Sequence, residues 1–128
     1  MKDPQNMTIV IAGDVPFLRT LLKMAMEEEG IHVIAEADDR ESLLAICTTL
    51  QPDMVLLDLE LDEVATLRLI ETILDIDALI TIIAVSEPSE GFGEKALSTG
   101  ARAYLQKPFT TYDLVDMIWK VAPVLKGQ

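Results

Sequence analysis

Five short apolar runs recur along this chain, each followed by a longer amphipathic stretch, and this alternation constrains the fold more than any other feature. Residues 8–12, 32–37, 53–58, 80–85 and 101–106 are rich in Val, Ile and Leu and have the length of strands. Helical spacing fills the intervals. Leu18, Leu21, Leu22 and Ala25 share one face up to Gly30, a stop signal, and Leu43, Leu44, Cys47 and Leu50 repeat the pattern before Pro52. Leu67, Ile70, Ile73 and Leu74 form a third stripe, and Leu114, Ile118, Val121 and Leu125 the last. Residues 88–99 make the weakest helix, because Gly91 and Gly93 lie near its start. Met24, Met26 and Met54 fall at apolar spacings and read as core.

Parallel strands must be joined by crossovers, so strands alternating with helices predict a parallel sheet covered on both faces. The expected fold is a doubly wound, three-layer α/β/α domain over residues 8–126, preceded by a loose polar tail at residues 1–7. A chain of 128 residues allows one such domain. Half of its residues are hydrophobic, which argues against disorder despite a formal charge of −12. That charge opposes binding to nucleic acid or to an anionic membrane surface. No targeting signal or membrane-spanning run is read, and the single Cys47 cannot form an internal disulfide, so a reducing cytoplasm is expected. Cys47 shares the apolar face of its helix and reads as a small core residue. His32 reads as a surface residue, and Glu27, Glu28 and Glu29 as a solvated helix end. Trp119, beside the last stripe, reads as partly exposed.

In doubly wound sheets the functional crevice lies beyond the carboxyl ends of the strands. The residues there are Gly13 and Asp14, Asp58, Ser86, and Lys107 with Pro108. Two carboxylates side by side suit a hard cation such as Mg²⁺. An aspartate is also a nucleophile in aspartyl-phosphate formation. Phosphoryl transfer needs its developing charge neutralised, which a cation, the Lys107 ammonium and the Ser86 hydroxyl would share. Each residue has a plainer alternative. Asp14 could cap the first helix next to Pro16, Ser86 could cap the fourth ahead of Pro88, Lys107 alone is an ordinary solvated lysine, and Tyr104 a packed ring.

The sequence resembles a receiver domain of a two-component response regulator, of the CheY-like superfamily, over nearly its whole length. Residues 9–19 (IVIAGDVPFLR) resemble the family's opening strand and acidic turn, residues 53–58 (DMVLLD) its phosphoacceptor strand, and residues 100–109 (GARAYLQKPF) its closing signature. The resemblance implies a flavodoxin-like sheet of order 2-1-3-4-5 with five helices. It implies Asp58 as phosphoacceptor, Asp14 as Mg²⁺ ligand, Glu60 lending its backbone carbonyl to the cation, Ser86 as switch hydroxyl, Tyr104 as the aromatic that swings inward, and Lys107 as phosphate-binding lysine. It also implies a cis Lys107–Pro108 bond. The implied partners are a sensor histidine kinase or phosphotransfer protein, with docking on Phe17, Leu18 and Leu21 near Pro108 and Phe109. A downstream protein target or a fused output domain not in this chain, and a homodimer, are further possibilities of the family.

Departures from the family pattern bear on function. Gly13 stands where a second acid is usual, so metal affinity should fall, and the Glu60 carboxylate is expected to replace part of the missing charge. Residues 62–66 (DEVAT) lack the family's proline and turn glycine, so the loop into the third helix should be rebuilt. Two functions follow: a receiver phosphorylated on Asp58, or a pseudo-receiver that binds proteins without phosphate. A flavodoxin-type cofactor binder is set aside, since Asp14 lies where a phosphate would sit. With Gln128 just past the last helix, no output domain is expected within the sequence.

Overall fold

The computed structural model describes residues 6–122. Five strands, β1 (Thr8–Gly13), β2 (His32–Ala37), β3 (Met54–Asp58), β4 (Thr81–Ser86) and β5 (Ala103–Gln106), alternate with five helices, α1 (Pro16–Glu28), α2 (Arg40–Leu50), α3 (Glu63–Ile76), α4 (Phe92–Thr99) and α5 (Thr111–Val121). All strand pairs are parallel, in the order β2-β1-β3-β4-β5. This is the expected doubly wound fold. Leu125, placed on the last stripe, and the end of the 8–126 span lie outside the described residues.

Strand alternation sorts the core into two halves, because successive side chains point to opposite faces. Val10, Ala12, Val55, Leu57, Ile82 and Ala84 meet Leu43, Cys47, Leu69, Ile70, Ile73 and Ala96 on one face. Ile9, Ile11, Met54, Leu56, Ile83 and Val85 meet Met26, Leu114 and Ile118 on the other. Both faces of β1, β3 and β4 are therefore apolar, whereas the edge strand β2 alternates between exposed and partly buried residues. Cys47 is fully buried and His32 exposed, as read. Among the described residues no helix is long and apolar enough to cross a membrane.

Three expectations need correction. Met24 is exposed, not core, and Leu18 and Leu21 are each 42% exposed. α1 lies over β1 and β2 at the sheet edge with α5 on one flank, so its buried face runs through Leu22 and Met26 and the other side overhangs. Met7, grouped with the tail, is buried, and its carbonyl accepts from His32 N–H. The fourth helix starts at Phe92 rather than Pro88, after Gly91 takes a left-handed turn (φ 79°) that a side chain would disfavour.

Local chemistry explains the helix starts. Asp39 accepts from Ser42 N–H at 2.7 Å, Asp62 from Ala65 N–H at 2.7 Å, and Thr110 and Asp113 form a capping box. The loop before α3 thus starts its helix with an Asp62 cap and needs no proline or glycine. Asp53, itself buried, forms a different device that composition does not single out. Its carboxylate accepts from Thr8 N–H (2.9 Å) and Thr8 O–H (3.1 Å), and its own N–H donates to Thr8 Oγ1 at 3.0 Å. This clip locks the starting ends of β1 and β3. Asp53→Ala should cost about 1–3 kcal/mol, since it takes the carboxylate partner from the Thr8 N–H and hydroxyl in a part-buried setting; urea unfolding measures it, and a loss below ~0.5 kcal/mol would show the clip to be idle.

Candidate functional site

Strand register brings the carboxyl ends together. Gly13 is the lateral neighbour of Asp58 across β1 and β3, Ser86 closes β4 beside Gln106, and Lys107 N–H donates to the Ser86 carbonyl at 2.9 Å. The helices leave this edge open as a cleft of about 560 Å³ lined by Gly13, Asp14, Asp58, Glu60, Ser86, Glu87 and Lys107, among others. The Lys107–Pro108 peptide is cis.

Asp58 is delivered by a strand buried on both faces, and its side chain is only 15% exposed. Lys107 Nζ lies 2.9 Å from its Oδ1. Burial raises the Asp58 pKa above the ordinary 3.8, the Lys107 ammonium opposes that rise, and the nearby Asp14 and Glu87 charges add to it. The carboxyl therefore holds its proton more tightly than a free aspartate does.

The other residues fall into place around it. Asp14 Oδ2 accepts from the Glu60 backbone N–H, so the two proposed cation-side residues are tied to each other across the cleft. Asp14 does not cap α1: the cap position is Val15, without a side-chain bond, and Pro16 needs no N–H partner. Ser86 is no cap either. Its hydroxyl donates to the Glu87 carbonyl (2.8 Å) and shares a 2.8 Å hydrogen bond with the Tyr104 hydroxyl. Tyr104 lies partly buried, edge-on to Phe92 at 5.8 Å between ring centres.

The family model for the response regulator receiver domain matches residues 9–119. The chain belongs to that family. It is 32% identical over 107 residues to a protein-glutamate methylesterase/protein-glutamine glutaminase of Anaeromyxobacter dehalogenans, covering 83% of this chain but 31% of that protein. It is 26% identical over 115 residues to the chemotaxis protein CheY of Listeria monocytogenes, covering 89% of this chain and 97% of that one. The fold matches the CheX–CheY–BeF3–Mg²⁺ complex of Borrelia burgdorferi with a TM-score of 0.81 at 21% identity, over 90% of this chain and 88% of that one. The matched residues are thus a receiver domain of two-component signalling, which is a signalling domain rather than a conventional enzyme, and the chain spans about a third to a half of several of the curated relatives it matches.

Two residues of this receiver domain escaped sequence reasoning. Glu87 lines the cleft and its charge reaches Asp58; its place directly after a strand-end serine was the available signal. Arg19 Nη1 donates to the Gly13 carbonyl, and its Nε pairs with Glu36 Oε1 at 3.0 Å. A Cβ built on Gly13 would meet Arg19 Cγ at 3.5 Å, an ordinary contact, so the glycine reflects no steric demand. Nothing else in the structure explains why Gly13 replaces an acid.

Receiver domains typically bind Mg²⁺. Among the described residues no group of three or more acidic, His or Cys side chains is placed to hold a metal. Asp14 and Asp58 nevertheless line one cleft close enough to repel, and Mg²⁺ is commonly held by one or two carboxylates with water and phosphate completing its shell. The donor set fits a sparse site.

The sign of the Asp58 shift has a measurable consequence. Because the native carboxyl binds its proton more tightly than the unfolded chain, the native state carries more protons between 3.8 and the raised value, and stability falls as pH rises through that interval. Asp58→Asn should remove this slope and gain on the parent protein as pH rises from 3.8 toward neutral. Urea titrations at a series of pH values would show it; a parent protein that gains on the variant over that range would reverse the sign.

Proposed function

We propose that this receiver accepts a phosphoryl group on Asp58 from a partner histidine kinase or phosphotransfer protein, and that the added charge changes a protein-binding surface. The reading is carried by one observation: Asp58 and Lys107 pair at 2.9 Å in a cleft that Asp14 and Ser86 also line. Asp58 Oδ1 is held by the lysine, so the other oxygen is the one left to attack phosphorus. The P–N bond of a phosphohistidine breaks as the O–P bond forms, and its electron pair returns to the imidazole. Lys107 holds the acceptor ionised and then stabilises the transferred oxygens. The Ser86 hydroxyl, on the neighbouring strand end, turns to donate to the phosphoryl.

Asp14, Asp58 and the Glu60 carbonyl would hold Mg²⁺, which when bound supplies charge neutralisation to the anionic phosphoryl. The Glu60 carboxylate, exposed at the rim, is proposed to contribute as well; Glu60→Gln should weaken Mg²⁺ binding, and an unchanged affinity by calorimetry would remove that role. Exposed Phe17, Leu18 and Leu21 on α1 are the proposed kinase-docking residues. A cytoplasmic location agrees with such a partner. A downstream protein target or a fused output domain is proposed as the recipient of the signal, and a homodimer is a further proposal.

Gly13 favours a second reading, a pseudo-receiver that binds its partner without phosphate. Intact-mass measurement after incubation with a small phosphodonor and Mg²⁺ separates the two. A phosphate adduct absent from Asp58→Asn is expected; no adduct at any Mg²⁺ level would favour the pseudo-receiver.

A further inference from the structure

Gly93 is the second residue of α4, the shortest of the five helices, where glycine is an unfavourable choice on helix propensity alone. Its backbone does not require glycine, because unlike Gly91 it has no positive φ. Its surroundings do. A Cβ built at position 93 would lie 2.6 Å from Tyr104 Cδ2, 3.0 Å from Cε2 and 3.2 Å from Cγ. The obstacle is the body of an aromatic ring, not the free end of a flexible chain. That ring is fixed on three sides, by Gly93, by the edge-on Phe92, and through its hydroxyl by Ser86 Oγ at 2.8 Å.

We propose that Gly93 is a positioning residue for the Ser86–Tyr104 pair: the missing side chain at 93 is the space in which Tyr104 lies against α4 and holds the Ser86 hydroxyl. Tyr104 stands in β5 next to Ala84 of β4, and its ring reaches the Ser86 hydroxyl while lying against the start of α4. Any side chain at 93 expels the ring and releases the hydroxyl. The packing of the ring against Gly93 needs no phosphate. Its consequence for Ser86 rests on the reading of Asp58 as phosphoacceptor.

The test uses the unphosphorylated protein. In Gly93→Ala, aromatic NMR should show the Tyr104 ring losing its contacts with Phe92. The melting temperature should fall by about 3 °C or more, although alanine is the better helix former. In a Tyr104→Ala background the same change should be neutral or raise the melting temperature, because the three atoms nearest to that Cβ all belong to the ring. Should Gly93→Ala fail to fold by itself, folding of the double variant supports the proposal, and failure of both overturns it. Retained Phe92–Tyr104 contacts with an undiminished melting temperature also overturn it. Phosphoryl uptake from a small donor, read by intact mass, should then rise about threefold or more in Gly93→Ala and in Tyr104→Ala without adding in the double variant. Unchanged uptake in both overturns the link to Ser86, whereas uptake absent even from the parent protein counts against Asp58 as acceptor.

Discussion

The carboxyl edge of this sheet is organised by one ion pair, between Asp58 and Lys107. β3 is buried on both faces and ends in a carboxylate, so the side chain leaves the strand already stripped of much of its water. Desolvation drives the group toward protonation, and a neutral Asp58 is no nucleophile. Lys107 counters this from just past the end of β5, two strands away, reaching past the end of β4. Ser86 lies between them. Three strand ends that the sheet register brings together are thus bridged by one ion pair, and the backbone bond from Lys107 N–H to the Ser86 carbonyl joins the ends of β4 and β5.

Acidity is not spread evenly around this pair. The cleft gathers Asp14, Asp58, Glu60 and Glu87, while of its two basic side chains Arg19 is engaged by Glu36 and the Gly13 carbonyl. An entering phosphoryl group would meet net negative charge with one lysine to offset it. That imbalance is the physical argument for a divalent cation in the working state, and for the importance of Gly13, the position at which the family usually adds an acid.

Much of the fold was legible because the three central strands are apolar on both faces and stand out as unbroken runs, with helical periods between them. The grouping of the candidate site was legible for the same reason: strand ends are easy to locate, and Asp14, Asp58, Ser86 and Lys107, which line one cleft, lie at or just past them. What could not be read was decided by neighbours. Leu18, Leu21 and Met24 have core spacing, yet α1 overhangs an edge strand and leaves them in solvent. Asp53 was only the first residue of a strand run until Thr8, 45 positions away, closed on it. Asp14 had a fair claim to a helix cap, which the Glu60 N–H overrides. Glu87, Arg19 and Gly93 acquire meaning only through contacts across the sheet or cleft.

The most direct test is a Mg²⁺ titration followed by amide NMR on the unphosphorylated protein. If the strand-end cleft is the cation site, shifts concentrate on the amides of Gly13, Asp14, Asp58, Leu59, Glu60 and Glu87, and Asp14→Asn abolishes them. Amides that stay unmoved there, or that shift equally in Asp14→Asn, would contradict the assignment of this cleft.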